Sequence, residues 1–464
     1  MMRRGVILVV AGLACGVCVG GSACSSSSNA AGPTGLVDGS VGATCPSGDT
    51  ISGGGGTLKT FEAPCTDPGA GQFWVTASGE SNAITGYPFP PTGNYPSDTW
   101  MVDGWQFTIT AYIVVIDHIT LWSNPNLSAT DQSQHGGQVA QLNGPFVVDL
   151  HKGGPIPGQG GGTEQSTPIG VLANQNSVGG SPPFDSTQTY AFGFSTVAAP
   201  TTYDAYNVNL TADEAPYYAL MAQNGYSVFY KGTATWNGAA TPFDDGVCSE
   251  TNAGLGADAG GDDGGSTSGG TYDFTKLPQT VPFELGFSTP TNYVNCQNGN
   301  AQGGMAIGGE DNPRGLQSRA NQSVVAQVTV HMDHPFWDSF AEDSPVHWDQ
   351  IAAQYLGLPG TPTAHIEDLQ GVPFDGFTDH SGSPIPWHDC SGIYFTEPGN
   401  GQMFFDTLAV EQDPSGTCVQ GNCPGIRDYY DYIRYTQSTQ GHLNSQGLCF
   451  IDRQYPAPGG GSAN

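Results

Sequence analysis

The sequence predicts a mainly β protein: two β-sandwich-like lobes carrying a few short helices and long Gly/Pro-rich loops. Three observations carry that expectation. Trp105-Gln-Phe-Thr-Ile-Thr-Ala alternates strictly, which puts Trp105, Phe107, Ile109 and Ala111 on one face of a strand. Gly at 68 and Pro at 34 is high for a globular chain, yet 21 Phe, 19 Tyr and 8 Trp leave ample material for cores. Between the halves, Gly254–Gly270 (GLGADAGGDDGGSTSGG) has almost no apolar surface to offset its ordering entropy.

In chain order, strands are expected over Gln72–Ser78, Gly104–Trp122, Pro145–Leu150, Gln188–Val197, Asn207–Leu210 and Tyr226–Trp236. Tyr112-Ile-Val-Val-Ile is apolar at every position, as a strand buried on both faces requires. The run from Gly104 to Trp122 would span roughly 60 Å if fully extended, so a bulge is expected near Asp117-His118. Thr211-Ala-Asp-Glu214 is a capping-box pattern opening a helix to Asn224, with Gly225 beyond its end and Pro216 one turn in. After the acidic segment, strands are expected over Val281–Phe287, Ser323–Val330, Val372–Phe377, Gln402–Val410 and Gly447–Asp452. Helices are expected from the Ser344-Pro345 start to Leu356, and over Ile426–Tyr435. The domains read as 45–250 and 272–456, with 251–271 a linker or a loop inserted in one continuous sheet, and 457–464 a flexible tail. Aspartates in that linker lack the spacing of a calcium loop.

Residues 1–23 have a signal-peptide layout: Arg3 and Arg4, an apolar core from Val6 to Val19, then small residues. The core ends in Gly21-Ser22-Ala23-Cys24, followed by a Ser-rich stretch within 24–44 suited to a flexible tether. This resembles the lipobox of secreted bacterial lipoproteins. The resemblance implies that Cys24 is acylated, that the mature chain begins there, and that it is anchored to a cell-envelope membrane, the outer membrane being expected. The rest of the layout, down to Gln440-Gly-His-Leu-Asn-Ser-Gln-Gly-Leu-Cys, resembles such proteins only in general style.

Cys15 and Cys18 would leave with the signal. Eight cysteines then remain beyond Cys24: Cys45, Cys65, Cys248, Cys296, Cys390, Cys418, Cys423 and Cys449. An even number in an exported chain argues for disulfides, with Cys45–Cys65 and Cys418–Cys423 as pairings suggested by proximity alone. The formal charge is −31, and losing Arg3 and Arg4 takes it to about −33. Such a surface repels phosphate backbones, so nucleic acid is excluded as a partner, while cations are attracted.

Chemistry concentrates in Val330–Tyr355, VHMDHPFWDSFAEDSPVHWDQIAAQY. On an extended chain His331 and Asp333 share a face, and His334 closes the strand before Pro335. His347, as third residue of the expected helix, would be kept neutral by the helix dipole. His331, Asp333, His334 and His347 are therefore the expected ligands of a transition metal, copper or zinc. His118 reads instead as a core or edge histidine, and His151 as a cleft residue. No G-x-S-x-G elbow and no phosphate-binding G-x-x-x-x-G-K-[ST] occurs. The competing expectations are a glycan- or protein-binding surface module, with tryptophans as stacking faces, and an extracellular hydrolase.

Overall fold

The computed structural model describes residues 47–455, apart from 63, 92–98, 173–183, 239–271, 302–304, 339–343, 374–376, 386–389, 391–425 and 427. It is mainly β, with few and short helices. Two sheets dominate. The larger is centred on Trp105–Ser123, which pairs with Thr189–Thr196, Phe146–Asp149, Gln138–Leu142 and Val228–Trp236. The smaller runs Gly447–Leu448, Gly441–Leu443, Val324–Val330, Phe73–Ser78, Gln165–Leu172, Ile156–Pro157. Strands from both sides of the acidic segment share each sheet: Val228–Trp236 pairs with Thr280–Phe287, and Phe73–Ser78 runs parallel to Val324–Val330.

The two-faced strand builds two cores. Tyr112, Val114 and Ile116 enter the main core, where Phe73, Val75, Ala326 and Val328 of the smaller sheet meet them in a sandwich-like layer. Ala111, Ile113 and Val115 point the other way, onto Tyr218 and Met221 of the helix Ala215–Asn224. Full burial of each large apolar side chain contributes roughly 1.5–3 kcal/mol, so neither face tolerates a charge. The long strand stays continuous over 19 residues and is relieved by bulges. One falls at the expected place, where Gly193 pairs with Thr120 but Ser195 with Asp117, and His118 takes φ +50°. Another leaves Thr110 unpaired opposite Lys231 and Gly232.

The expected capping box forms: the Glu214 carboxylate accepts from the Thr211 backbone N–H at 2.6 Å. Ala212–Glu214 is a 3₁₀ turn, so the α-helix proper starts at Ala215 and Pro216 falls in its first turn, where a missing N–H costs little. Gly225 ends it at φ +68°. The helix at Tyr429–Gln437 starts later than expected, because Asp428 supplies the cap by accepting from the Asp431 N–H at 2.9 Å. Strands at Gln138–Leu142, Gln165–Leu172, Thr291–Val294 and Gly441–Leu443, and a helix at Glu80–Thr85, were not foreseen. Of the expected strand Val372–Phe377, residues 372, 373 and 377 are not strand; Gln402–Val410 lies outside the described residues.

Cys296 and Cys449 form a disulfide, and Cys65 and Cys390 are disulfide-bonded as well. Cys24, Cys45, Cys248, Cys418 and Cys423 lie outside the described residues, and with them both pairings suggested by proximity. Among the described residues no helix is long and apolar enough to cross a membrane.

Candidate metal centre

The site forms where two parallel strands end together. Phe73–Ser78 and Val324–Val330 stay in register until Ser78 lies opposite Thr329. Glu80 then leaves one strand and His331 the other, so residues distant in sequence arrive side by side. The intervening Gly79 has no room for a side chain: a Cβ there would stand 2.6 Å from that of Ala83 and 2.9 Å from the Tyr112 ring. On the other flank, Gly441–Leu443 pairs antiparallel with the same strand and sets His442 opposite Thr329. Alternation puts Thr329, His331 and His442 on one face. Beneath them the Tyr112 hydroxyl donates to the Val330 carbonyl at 3.2 Å, and the Tyr230 hydroxyl to Gln440 at 2.8 Å.

His331, Asp333 and His334 offer ligand atoms that all lie within 4.8 Å of one another, and all three residues are buried. The His442 ring joins them, its centroid 4.1 Å from that of His331 and 5.4 Å from that of His334. Hydrogen bonds set the tautomers. Thr439 spends its hydroxyl proton on the Thr436 carbonyl at 2.7 Å, so at its 2.6 Å contact with His334 the ring Nδ1–H donates. His334 Nε2 is left as a bare lone pair, buried without a hydrogen-bond partner, and His442 Nδ1 is also buried without one. His331 Nε2 lies 3.0 Å from the Ser445 carbonyl, which only accepts, so that nitrogen carries the proton. Its Nδ1 faces Glu80 Oε2 at 3.2 Å and Asp333 Oδ1 at 3.9 Å. Acceptors gathered in this way require a proton or a cation among them.

Burial holds His334 and His442 well below the usual imidazole range, and His331 acts in the same direction on both. The neutral ring is the form that ligates a metal. Burial also lifts Asp333 to about 6; His331 opposes the rise, Glu80 adds to it, and the Trp337 indole N–H opposes it. Trp337 holds two of these groups at once, stacking on His334 at 3.7 Å between centroids and donating to Asp333 Oδ2 at 2.7 Å. The backbone around His331 is strained: Glu80, Asn444 and Ser445 take φ of +63°, +52° and +70° without being glycine. Each such residue costs on the order of 1–3 kcal/mol, and such strain gathers at functional sites.

The donor set fits a transition metal. Tetrahedral zinc with bonds of ~2.1 Å places its ligand atoms roughly 3.4 Å apart, so closing on an ion draws this group inward by about 1 Å. Imidazole with carboxylate suits zinc or copper.

His347, expected as a further ligand, stands in a different cluster. Its Nε2 lies 3.2 Å from Asp338 Oδ2 and its Nδ1 3.9 Å from Asp103 Oδ2. The reason is that Ser344 does not cap the helix, which starts only at Asp349. Val346 instead makes β-bridges to Met101 and Trp337, and Asp103, a residue from the other half of the chain, accepts the Trp348 and Asp349 N–H groups at 2.6 and 2.8 Å. His118 sits at the strand bulge, its ring largely exposed and 3.3 Å from Asp117. His151 contacts the Ala83 carbonyl at 2.7 Å, tethering the helix that carries Glu80. His442 and Glu80 were missed. A histidine in an alternating run was the available signal for the first; the second is one of 42 acids and carried none.

The chain matches no protein-family model, and comparison with curated proteins and with solved structures finds no match either.

Proposed function

We propose that the protein is exported, anchored to a membrane through an acylated Cys24, and binds a transition-metal ion, zinc or copper, at His331, Asp333 and His334 with His442 beside them. The observation that carries this reading is the unspent lone pair of His334 Nε2, buried, held in the ligating tautomer by Thr439, and grouped with His331 and Asp333. Leaving such an atom unpaired costs about 1–3 kcal/mol, a cost that a bound ion removes. A bound ion would also supply the positive charge that the facing acceptors of Asp333, Glu80 and His331 share. The acidic surface favours cation capture at long range. Calorimetric titration of the full-length protein with Zn²⁺ and with Cu²⁺ is expected to give equimolar binding. Heat indistinguishable from dilution for both ions would refute the reading. Independently, intact-mass analysis of membrane-extracted protein is expected to show a lipid increment on a chain beginning at Cys24.

A further inference from the structure

We propose that Glu80 is the solvent-side ligand of this centre, the group that meets an incoming ion first and slows its release. The inference rests on the metal reading above and specifies how the site works. Glu80 reaches the cluster from the smaller sheet's other parallel strand, with Oε2 3.2 Å from His331 Nδ1. Its side chain is 23% exposed, against 6% for His331 and 8% for Asp333. An ion arriving from solvent therefore meets the Glu80 carboxylate before the buried groups.

The geometry around Glu80 is built for that position. Its φ of +63° opens the helix Glu80–Thr85, and the Ser78 hydroxyl accepts its backbone N–H at 3.0 Å. Its second oxygen accepts from the Ser445 hydroxyl at 3.3 Å, and Ser445 itself holds φ +70°. The Ser445 carbonyl takes the Nε2 proton of His331. Two left-handed residues thus hold His331 from opposite ring nitrogens, one fixing its tautomer and the other offering a carboxylate to the ligating side.

The test compares full-length wild type with Glu80→Gln, which keeps the acceptor for Ser445 and removes the charge. Zn²⁺ and Cu²⁺ affinities are measured by chelator competition, and release rates by stopped flow into excess chelator. Glu80→Gln is expected to bind ~10–100-fold more weakly, through faster release, with unchanged stoichiometry and an apo melting temperature close to wild type. Glu80→Asp, which keeps a carboxylate on a shorter stem, is expected to recover part of the affinity. Wild-type affinity and release in Glu80→Gln would overturn the inference while leaving the metal site standing. A wild type that takes up neither ion would overturn both. Should Glu80→Gln misfold, a folded Glu80→Ala with wild-type affinity and release would overturn it equally.

Discussion

Two buried histidine–carboxylate clusters lie on one short stretch of chain, and they differ in what their polar atoms are doing. Around His347 the carboxylates are spent on structure. Asp103 Oδ2 caps two backbone N–H groups, Asp349 Oδ1 accepts the Trp105 indole at 2.7 Å, and Asp338 takes His347 Nε2. Burial, then Asp349, push Asp103 well above the usual carboxylate range, and His347 opposes the rise. Around His331 the buried groups of His331, Asp333 and His334 converge instead, with ligand atoms within 4.8 Å of one another. The comparison teaches that residue types alone do not mark a metal site; the convergence of their ligand atoms does, and among the described residues it is His331, Asp333 and His334 that converge.

The largest effect should come from breaking the structural cluster. Asp103→Ala leaves two buried N–H groups at the helix start without an acceptor, and is expected to cost about 3 kcal/mol of folding stability. Metal affinity should stay at its wild-type value. Denaturant unfolding together with a Zn²⁺ titration checks both halves, and a wild-type midpoint would show that the cap carries no load.

Asp149 sharpens the contrast from a third place. It is fully buried, and its Oδ1 accepts from the Tyr112 and His151 N–H groups at 2.9 and 3.0 Å, another acid committed to backbone. Burial, then the neighbouring Glu214, raise it to about 8. A carboxyl raised on folding holds its proton in the native state, so its contribution is full below the unfolded value of about 4 and is lost as pH rises to about 8. Asp149→Asn mimics the protonated form, and its stability relative to wild type should improve by up to ~1.4 kcal/mol per pH unit across that window. Parallel stability–pH profiles for the two proteins would refute this.

Much of this was legible in the sequence, where local rules decide. Thr211 to Glu214, Gly225, the bulge at His118 and the two-faced run Tyr112–Ile116 are each fixed by neighbours within a turn or a strand. The pair His331 and Asp333 with His334 was readable for the same reason. His347 was misplaced because its helix is capped by Asp103, a partner no local pattern reveals. His442 and Glu80 reach the site only through pairings with Val324–Val330, one antiparallel and one parallel, each spanning more than 100 residues of chain. Such long-range register is set by the whole core and leaves little trace in any window of sequence.

The smallest expected change, and the most direct test, is in His347→Ala. Metal content per chain should be determined by elemental analysis of full-length protein purified without chelator, for wild type, His334→Ala and His347→Ala side by side. The account predicts an equimolar transition metal in the wild type and in His347→Ala, and its loss from His334→Ala. A wild type without metal, or loss of the ion from His347→Ala while His334→Ala retains it, would contradict it.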